Sequence, residues 1–291
     1  MTPRDALAVI GGSGAHKLLA AAAQSCARLG PVSTPFGASA PIYRVRIGEA
    51  HFLFLPRHGE GGYEVAAPWV NYRANVYALK EFGAGRIISW SGPGAVDTSL
   101  HIGQFVIPTD VLDETRGRES SFYKGTGLGF LRQAPVFCPE LRQAAARALR
   151  LLRLECRDHG VYVCTEGPRL ETPAEIRRYR KDGADLVGMT LCPEAFLARE
   201  LEMCYAPLCY VTNYAEGVRE REERPGILFG GLIGDAEREA IEESLGRFLE
   251  IVSLVARSLP DDRHCACGLA MERYRREGRI GDDWHTWIGK P

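Results

Sequence analysis

Four short stretches of this 291-residue chain place chemically useful side chains directly after apolar runs. Leu7-Ala8-Val9-Ile10 runs into Gly11-Gly12-Ser13-Gly14, and Phe52–Leu55 ends at Pro56-Arg57-His58-Gly59. Arg86–Trp90 ends at Ser91-Gly92-Pro93-Gly94-Ala95, and Ala206–Thr212 ends at Asn213-Tyr214-Ala215. Glycine lets a backbone approach a ligand closely, and successive N–H groups along such a turn cradle an anion. The planar guanidinium of Arg57 suits two-pronged contact with a phosphate, and a neighbouring His58 adds a donor. The amide of Asn213 offers a donor and an acceptor together. Read singly, such patterns more often mark a tight turn, a surface pair or a turn former. The glycine loop is neither a Walker A loop, lacking a Gly-Lys-Ser/Thr ending, nor a full GxGxxG.

The elements that must position these groups show most clearly between Cys164 and Glu200. A β-like run, Gly160–Cys164, stops at Thr165-Glu166-Gly167-Pro168-Arg169. Thr172-Pro173-Ala174-Glu175 then reads as a helix start, with Thr172 as N-cap, Pro173 in the first turn and Glu175 completing a capping box. A second apolar run, Ala184–Thr190, is followed by a helix opening at Pro193-Glu194. Strand, loop, helix, strand, loop, helix is the rhythm of an α/β sheet, whose sites collect at the carboxyl ends of strands. Thr165, Glu166, Thr190 and Glu194 concentrate at two such ends, as ligand groups or as solvated turn residues.

EGPRLETPAEIR, GADLVGMT and PEAFLARE, preceded in order by GGSG, PRHG with VNYRANVYALKEFG, and GQFVIPTDVLDET, resemble the signature of the trimeric purine nucleoside phosphorylase family. The similarity is greatest to the branch handling 5'-methylthioadenosine and 5'-methylthioinosine, and it runs from about Val9 to Gly217. It implies an α/β, single-domain, three-layer αβα phosphorylase-type fold with a mixed, partly barrel-like central sheet over residues 1–259, leaving 260–291 as a tail of unassigned role. It implies phosphorolysis of a purine nucleoside, foremost a 5'-methylthio nucleoside, to free purine and 5-methylthioribose 1-phosphate. Inorganic phosphate is the co-substrate, with no cofactor and no metal. By the same resemblance Ser13, Arg57, His58, Ser91, Gly92 and Thr190 hold phosphate, and Asn213 and His58 are the catalytic candidates. Pro93, Gly94, Leu170, Gly188, Met189, Asn213, Ala215 and Leu228 fall on nucleoside positions, with Met189 against the ribose and Leu170 over the base. A homotrimer with sites completed by a neighbour is also implied.

The chain departs from that pattern in several places. Relatives carry another His shortly after the Arg-His-Gly, where this chain has Glu60-Gly61-Gly62-Tyr63. Pro93 removes an N–H from a phosphate loop, and Ala95 stands where a Ser is common. Methylthioadenosine-specific relatives place Asp at the positions of Asn213 and Ala215. An amide there suits O6 and N7 of hypoxanthine, so the expectation leans to a 6-oxopurine. No His lies between Asn213 and Leu245, which favours an apolar pocket for a methylthio group. The same departures motivate a rival reading, a scaffold that binds a purine or another planar aromatic ligand with little or no turnover.

Composition bounds the alternatives. An apolar fraction of 45%, a charged fraction of 25% and a net charge of −1 describe an ordinary globular protein without a nucleic-acid or membrane-surface signature. No apolar run approaches the roughly 20 residues of a membrane span, and the N-terminus lacks a signal-peptide layout, so a cytoplasmic location is expected. Several of the nine cysteines (Cys164, Cys192, Cys204, Cys209) lie in or beside apolar runs, which predicts reduced thiols. His264-Cys265-Ala266-Cys267 matches no standard zinc spacing. Trp284 and Trp287 predict a tail packed on the body or on a neighbouring subunit. Helices are expected over 70–79, 136–154 and 235–259, with a flexible loop over 119–129.

Overall fold

The computed structural model describes residues 6–14, 26–220, 226–228 and 233–288. Most of the charge run at 219–224, together with Pro225 and Phe229, lies outside them. In chain order the elements are β1 (Ala6–Gly11), β2 (Cys26–Gly30), β3 (Ser33–Thr34), β4 (Gly37–Ala38), β5 (Ile42–Ile47), β6 (Ala50–Pro56), α1 (Tyr72–Glu81), β7 (Ala84–Ser91), β8 (Gly94–Ala95), β9 (Phe105–Val106) and β10 (Asp110–Glu114). There follow α2 (Pro139–Leu151), β11 (Cys156–Arg157), β12 (Val161–Thr165), α3 (Pro173–Lys181), β13 (Leu186–Gly188), α4 (Leu191–Glu200), β14 (Cys204–Tyr210), β15 (Asn213–Tyr214), α5 (Asp235–Gly246), α6 (Phe248–Ser258) and α7 (Glu272–Arg276).

The expected three layers are present. An eight-stranded mixed sheet, in the order β11-β9-β14-β7-β1-β6-β5-β2, carries helices on both faces. Period-two alternation sorts its side chains. Ala8 and Ile10 of β1 join the core with Val76 of α1 and Leu197 of α4, while Leu7 and Val9 face Leu141 of α2 and Phe248 of α6. The mixed, partly barrel-like central sheet expected from the sequence is divided into two mixed sheets, and no closed barrel forms among the described residues. The second sheet has five strands, β10-β12-β13-β8-β15. The chain crosses between the sheets at Gly92-Pro93, where a proline cannot donate to a ladder. A side chain at Gly92 would come within 2.7 Å of Thr212 Cγ2.

Three helix expectations shift. The first helix begins at Tyr72 because the Asn71 side chain accepts from Ala74 N, making Asn71 the N-cap. The second spans only Pro139–Leu151, starting at a proline in its first turn. The long C-terminal helix is two, interrupted at Arg247 just after Gly246. The capping box at Thr172 and Glu175 forms as its spacing predicts.

The stretch 119–129 is irregular but anchored. Glu200 accepts from Ser121 Oγ at 2.6 Å and Phe122 N at 2.7 Å, its carbonyl accepts from Tyr123 Oη, and Phe122 is buried. The tail also lies on the body, as its tryptophans predict. Met271, Tyr274 and Trp287 are buried in the core that contains Tyr77, whose ring meets Trp284 edge-on at 4.9 Å. No helix among the described residues is long and apolar enough to cross a membrane.

Candidate active site

Parallel pairing sets the first wall of the site. β1 lies between β6 and β7, with Gly11 opposite both Pro56 and Trp90. Their carboxyl ends therefore deliver Gly12-Ser13, Arg57-His58 and Ser91-Gly92 to one edge of the eight-stranded sheet. The second wall comes from the five-stranded sheet. Gly94 pairs with Val187 on one side and Asn213 on the other, and β13 then leads into Met189 and Thr190. A Cβ at Gly94 would sit 3.0 Å from Asn213 Nδ2, so only glycine leaves that amide undisturbed.

Between the walls lies a cavity of about 460 Å3, the size of a small-ligand site. Of the residues expected from the sequence, Ser13, His58, Ser91, Gly92, Gly94, Leu170, Gly188, Met189, Thr190, Asn213, Ala215 and Leu228 line it. Arg57 and Pro93 do not. The Pro93 carbonyl accepts from the Thr212 backbone N–H instead.

Arg57 lies beneath the cavity floor. Its Nη2 donates to Ile10 O at 3.0 Å and Ser89 Oγ at 2.8 Å, and its Nη1 stands 3.0 Å from Glu194 Oε1. Burial pushes the Glu194 carboxyl above its ordinary range, against the pull of Arg57 and of the Tyr205 hydroxyl donated to it. Glu194, a strand-end ligand candidate by its sequence position, is thus a buried counter-ion. Thr165 hydrogen-bonds Glu171 at 2.5 Å, and Glu166 lines a separate hollow, where it accepts from the N–H of Arg116.

His58 is nine-tenths or more buried, with its ring against Tyr63 at 4.3 Å between centroids. Nδ1 lies 2.7 Å from the Val65 carbonyl and so carries the proton, which leaves Nε2 as the lone-pair nitrogen. Burial, with the Arg57 charge adding to it, lowers its pKa from 6.5 to about 4, so the ring is neutral near pH 7. Thr190 precedes α4 without capping it, which leaves its hydroxyl for the cavity. At the glycine loop the Gly12 N–H is already bonded to Trp90 O, so that amide is not available to an anion.

Asn213 is buried, accepting from Thr212 Oγ1 at 2.8 Å and donating to Tyr214 O at 3.0 Å. Apolar lining comes from Leu170, Val187, Met189, Leu228, Ile233 and Ile241. Sequence reasoning missed Tyr162, whose buried hydroxyl meets the space beside Gly188 and has no hydrogen-bond partner, and Tyr63, whose ring covers His58. It also missed Arg118. That guanidinium, with a side chain 1% exposed, donates to the carbonyls of Met189 and Cys192 at 2.6 Å each, Glu166 at 2.6 Å and Thr165 at 3.1 Å. It joins the two loops that carry Leu170 and Met189. Nothing in side-chain spacing announces a residue that works by gathering carbonyls.

A site with small-residue loops, a buried arginine and histidine, a free threonine hydroxyl and an apolar side can hold an oxyanion next to a flat, partly apolar molecule. Residues 6–253 match the family described as the phosphorylase superfamily. The chain is 38% identical over 276 residues to a 6-oxopurine nucleoside phosphorylase of Pyrococcus furiosus, covering 91% of this chain and 97% of that one. It is 38% identical to a probable S-methyl-5'-thioinosine phosphorylase of Methanopyrus kandleri, covering 83% and 90% respectively. Among solved structures, a methylthioadenosine phosphorylase from an antarctic soil metagenomic library aligns with a TM-score of 0.79 at 28% identity, over 92% of this chain and 91% of that one.

Proposed function

The chain belongs to the phosphorylase superfamily, and from that premise we propose that it is a pentosyltransferase cleaving purine nucleosides with phosphate, preferring a 5'-methylthio nucleoside with a 6-oxopurine base. The observation that carries this reading is the convergence on one cavity of the expected residues, Arg57 and Pro93 excepted. The base preference rests on Asn213 and Ala215 at positions without a carboxylate. It is supported by relatives named for 6-oxopurine nucleosides and methylthioinosine. The methylthio preference rests on Leu228, Ile233 and Ile241 lining one part of the cavity, where no histidine other than His58 is found among the described lining residues.

In the proposed reaction phosphate attacks C1' while the C1'–N9 bond breaks. Positive charge develops on the ribose ring and negative charge on the leaving purine. Ser13, Ser91, Gly92 and Thr190 orient the phosphate, and neutral His58 accepts a hydrogen bond at Nε2 from the phosphate hydroxyl, turning its charged oxygens toward C1'. Arg57 supplies positive potential from beneath the floor, where low dielectric strengthens it. Asn213 stabilises the departing base, and Leu170 and Met189 pack on base and ribose. The reaction needs neither a metal nor an organic cofactor. Exposed Val65, 36% accessible with its carbonyl on His58, and exposed Trp69, 69% accessible four residues further on, support a homotrimer in which a second copy covers this edge. Nine free thiols fit a reducing compartment, the cytoplasm.

The test is purine release from methylthioinosine, methylthioadenosine, inosine and adenosine, each with and without phosphate. Phosphate-dependent release, greatest for methylthioinosine, is expected. Purine binding without cleavage of any of the four would instead make the protein a binding scaffold.

A further inference from the structure

Four of the nine cysteines meet at one point. The Sγ atoms of Cys138, Cys204, Cys265 and Cys267 all lie within 4.8 Å of one another, and those of Cys204 and Cys265 are 3.3 Å apart. None is in a disulfide. Cys138, Cys204 and Cys267 are buried and Cys265 is half-buried.

The body of the domain contributes two of them. Cys204 opens β14, and Cys138 stands at the N-cap of α2, with its own N–H bonded to Tyr205 O at 2.8 Å. The other two come from the C-terminal segment, on either side of Ala266 at the start of a short 3-10 turn. That segment is steered into place by contacts outside the sulfur cluster. Arg86 donates to Pro260 O, Glu140 accepts from the N–H groups of His264 and Cys265, and Arg263 donates to Glu202 O.

A sulfur cluster of this kind differs from ordinary apolar packing. In a tetrahedral tetrathiolate with metal–sulfur bonds of about 2.3 Å, neighbouring sulfurs are about 3.8 Å apart, a separation these four reach with small rotations. All four ligand positions come from protein, which describes a closed site, and sulfur alone selects a thiophilic ion. The single residue between Cys265 and Cys267 hides the pattern in the sequence, because the remaining ligands are 61 and more positions away.

We propose that Cys138, Cys204, Cys265 and Cys267 bind one zinc-class divalent ion as a closed tetrathiolate site that clamps the C-terminal segment onto the body. Its role is structural. Cys204 lies eight residues before Thr212, about 25 Å away along an extended strand, so the ion is remote from the nucleoside cavity. Binding replaces thiol protons with the metal.

The test uses the full chain, purified under reducing conditions without chelator. Elemental analysis should find about one equivalent of zinc that survives dialysis. Titration with a mercurial reagent should release it as four thiols are modified, and cobalt(II) exchange should give tetrahedral thiolate bands. Cys265→Ser/Cys267→Ser should lose the metal and unfold at lower temperature, while Cys156→Ser, outside the cluster, retains both. If the double variant fails to fold, the wild-type measurements decide alone. Three outcomes would overturn the proposal. One is metal-free reduced protein, another is an intact mass showing the cluster oxidised to disulfides, and the third is zinc retained undiminished by the double variant, an adventitious ion only.

Discussion

Nη1 of Arg57 lies 3.0 Å from Oε1 of Glu194, and the two side chains are 0% and 2% exposed. The pair joins the end of β6 to the first turn of α4 and places a positive charge under the cavity without exposing it. A buried ion pair gains little over an apolar pair, but losing one partner strands the other charge. Glu194→Ala is therefore expected to cost about 3–5 kcal/mol of stability. Glu194→Gln, which keeps a hydrogen-bonding group of the same shape, should cost less. Urea unfolding of both variants checks this; equal, small losses would mean that the charge on Glu194 does not hold Arg57.

His58 should titrate far from an ordinary histidine. Burial and Arg57 bring its pKa from 6.5 to about 4. The folded state therefore binds fewer protons than the unfolded state between those values. The associated stability is complete above pH 6.5 and is lost as pH falls toward 4, by about 3 kcal/mol in total. In the free protein the ring resonances of His58 should stay unchanged from about pH 8 down to about 5.5. A midpoint near 6.5 would contradict the burial argument.

Glu200 carries the opposite linkage. Burial raises its pKa from 4.5 to about 7, while Ser121 and the Phe122 N–H pull against that. Its stabilising contribution is complete below pH 4.5 and disappears as pH rises through 7, about 3 kcal/mol across the window. Glu200→Gln can keep contacts with Ser121 and Phe122 but has nothing to ionise. Relative to this variant, the wild type should lose stability steadily between pH 4.5 and 8. Parallel melting-temperature curves would refute the assignment.

Asn213→Asp should move preference toward 6-amino purines. The variant replaces a donor with a carboxylate, which accepts from an exocyclic amine and repels O6. One gained and one lost hydrogen bond, at about 1–2 kcal/mol together, alter the ratio of kcat/KM for methylthioadenosine over methylthioinosine by about 5- to 30-fold. An unchanged ratio would mean that Asn213 does not set base choice.

Arg118→Met should leave the core intact while separating the loops that its guanidinium joins. Misplacing Leu170 and Met189 by an ångström costs on the order of 100-fold in kcat/KM. Arg118→Lys should recover only part, since one ammonium cannot span the carbonyls of Thr165, Glu166, Met189 and Cys192. Full activity in either variant would assign the clamp no part in positioning.

How much of this was legible in the sequence follows from range. The strand ends at Ser13, His58 and Ser91 were readable because apolar runs stop abruptly there, and the Thr172 capping box because its parts lie three residues apart. Arg57 and Glu194 were each singled out, but their pairing was not visible, because neither periodicity nor spacing relates β6 to α4. The division into two sheets hinges on Gly92-Pro93, which reads as a turn until Thr212 is seen against it. Arg118 stood beside a polar, Gly-rich stretch whose anchor, Glu200, is 78 positions from Phe122. The cysteine cluster escaped for the same reason.

The docked C-terminal segment has a consequence for synthesis. Trp284 and Trp287 complete the core around Tyr77, and His285 bonds Glu81 across 204 positions of sequence. At a translation rate of roughly 5–20 residues per second, the surface of α1 emerges from the ribosome roughly 10 to 40 s before the residues that cover it are made. Throughout that interval the nascent chain presents this face of α1 without its C-terminal cover.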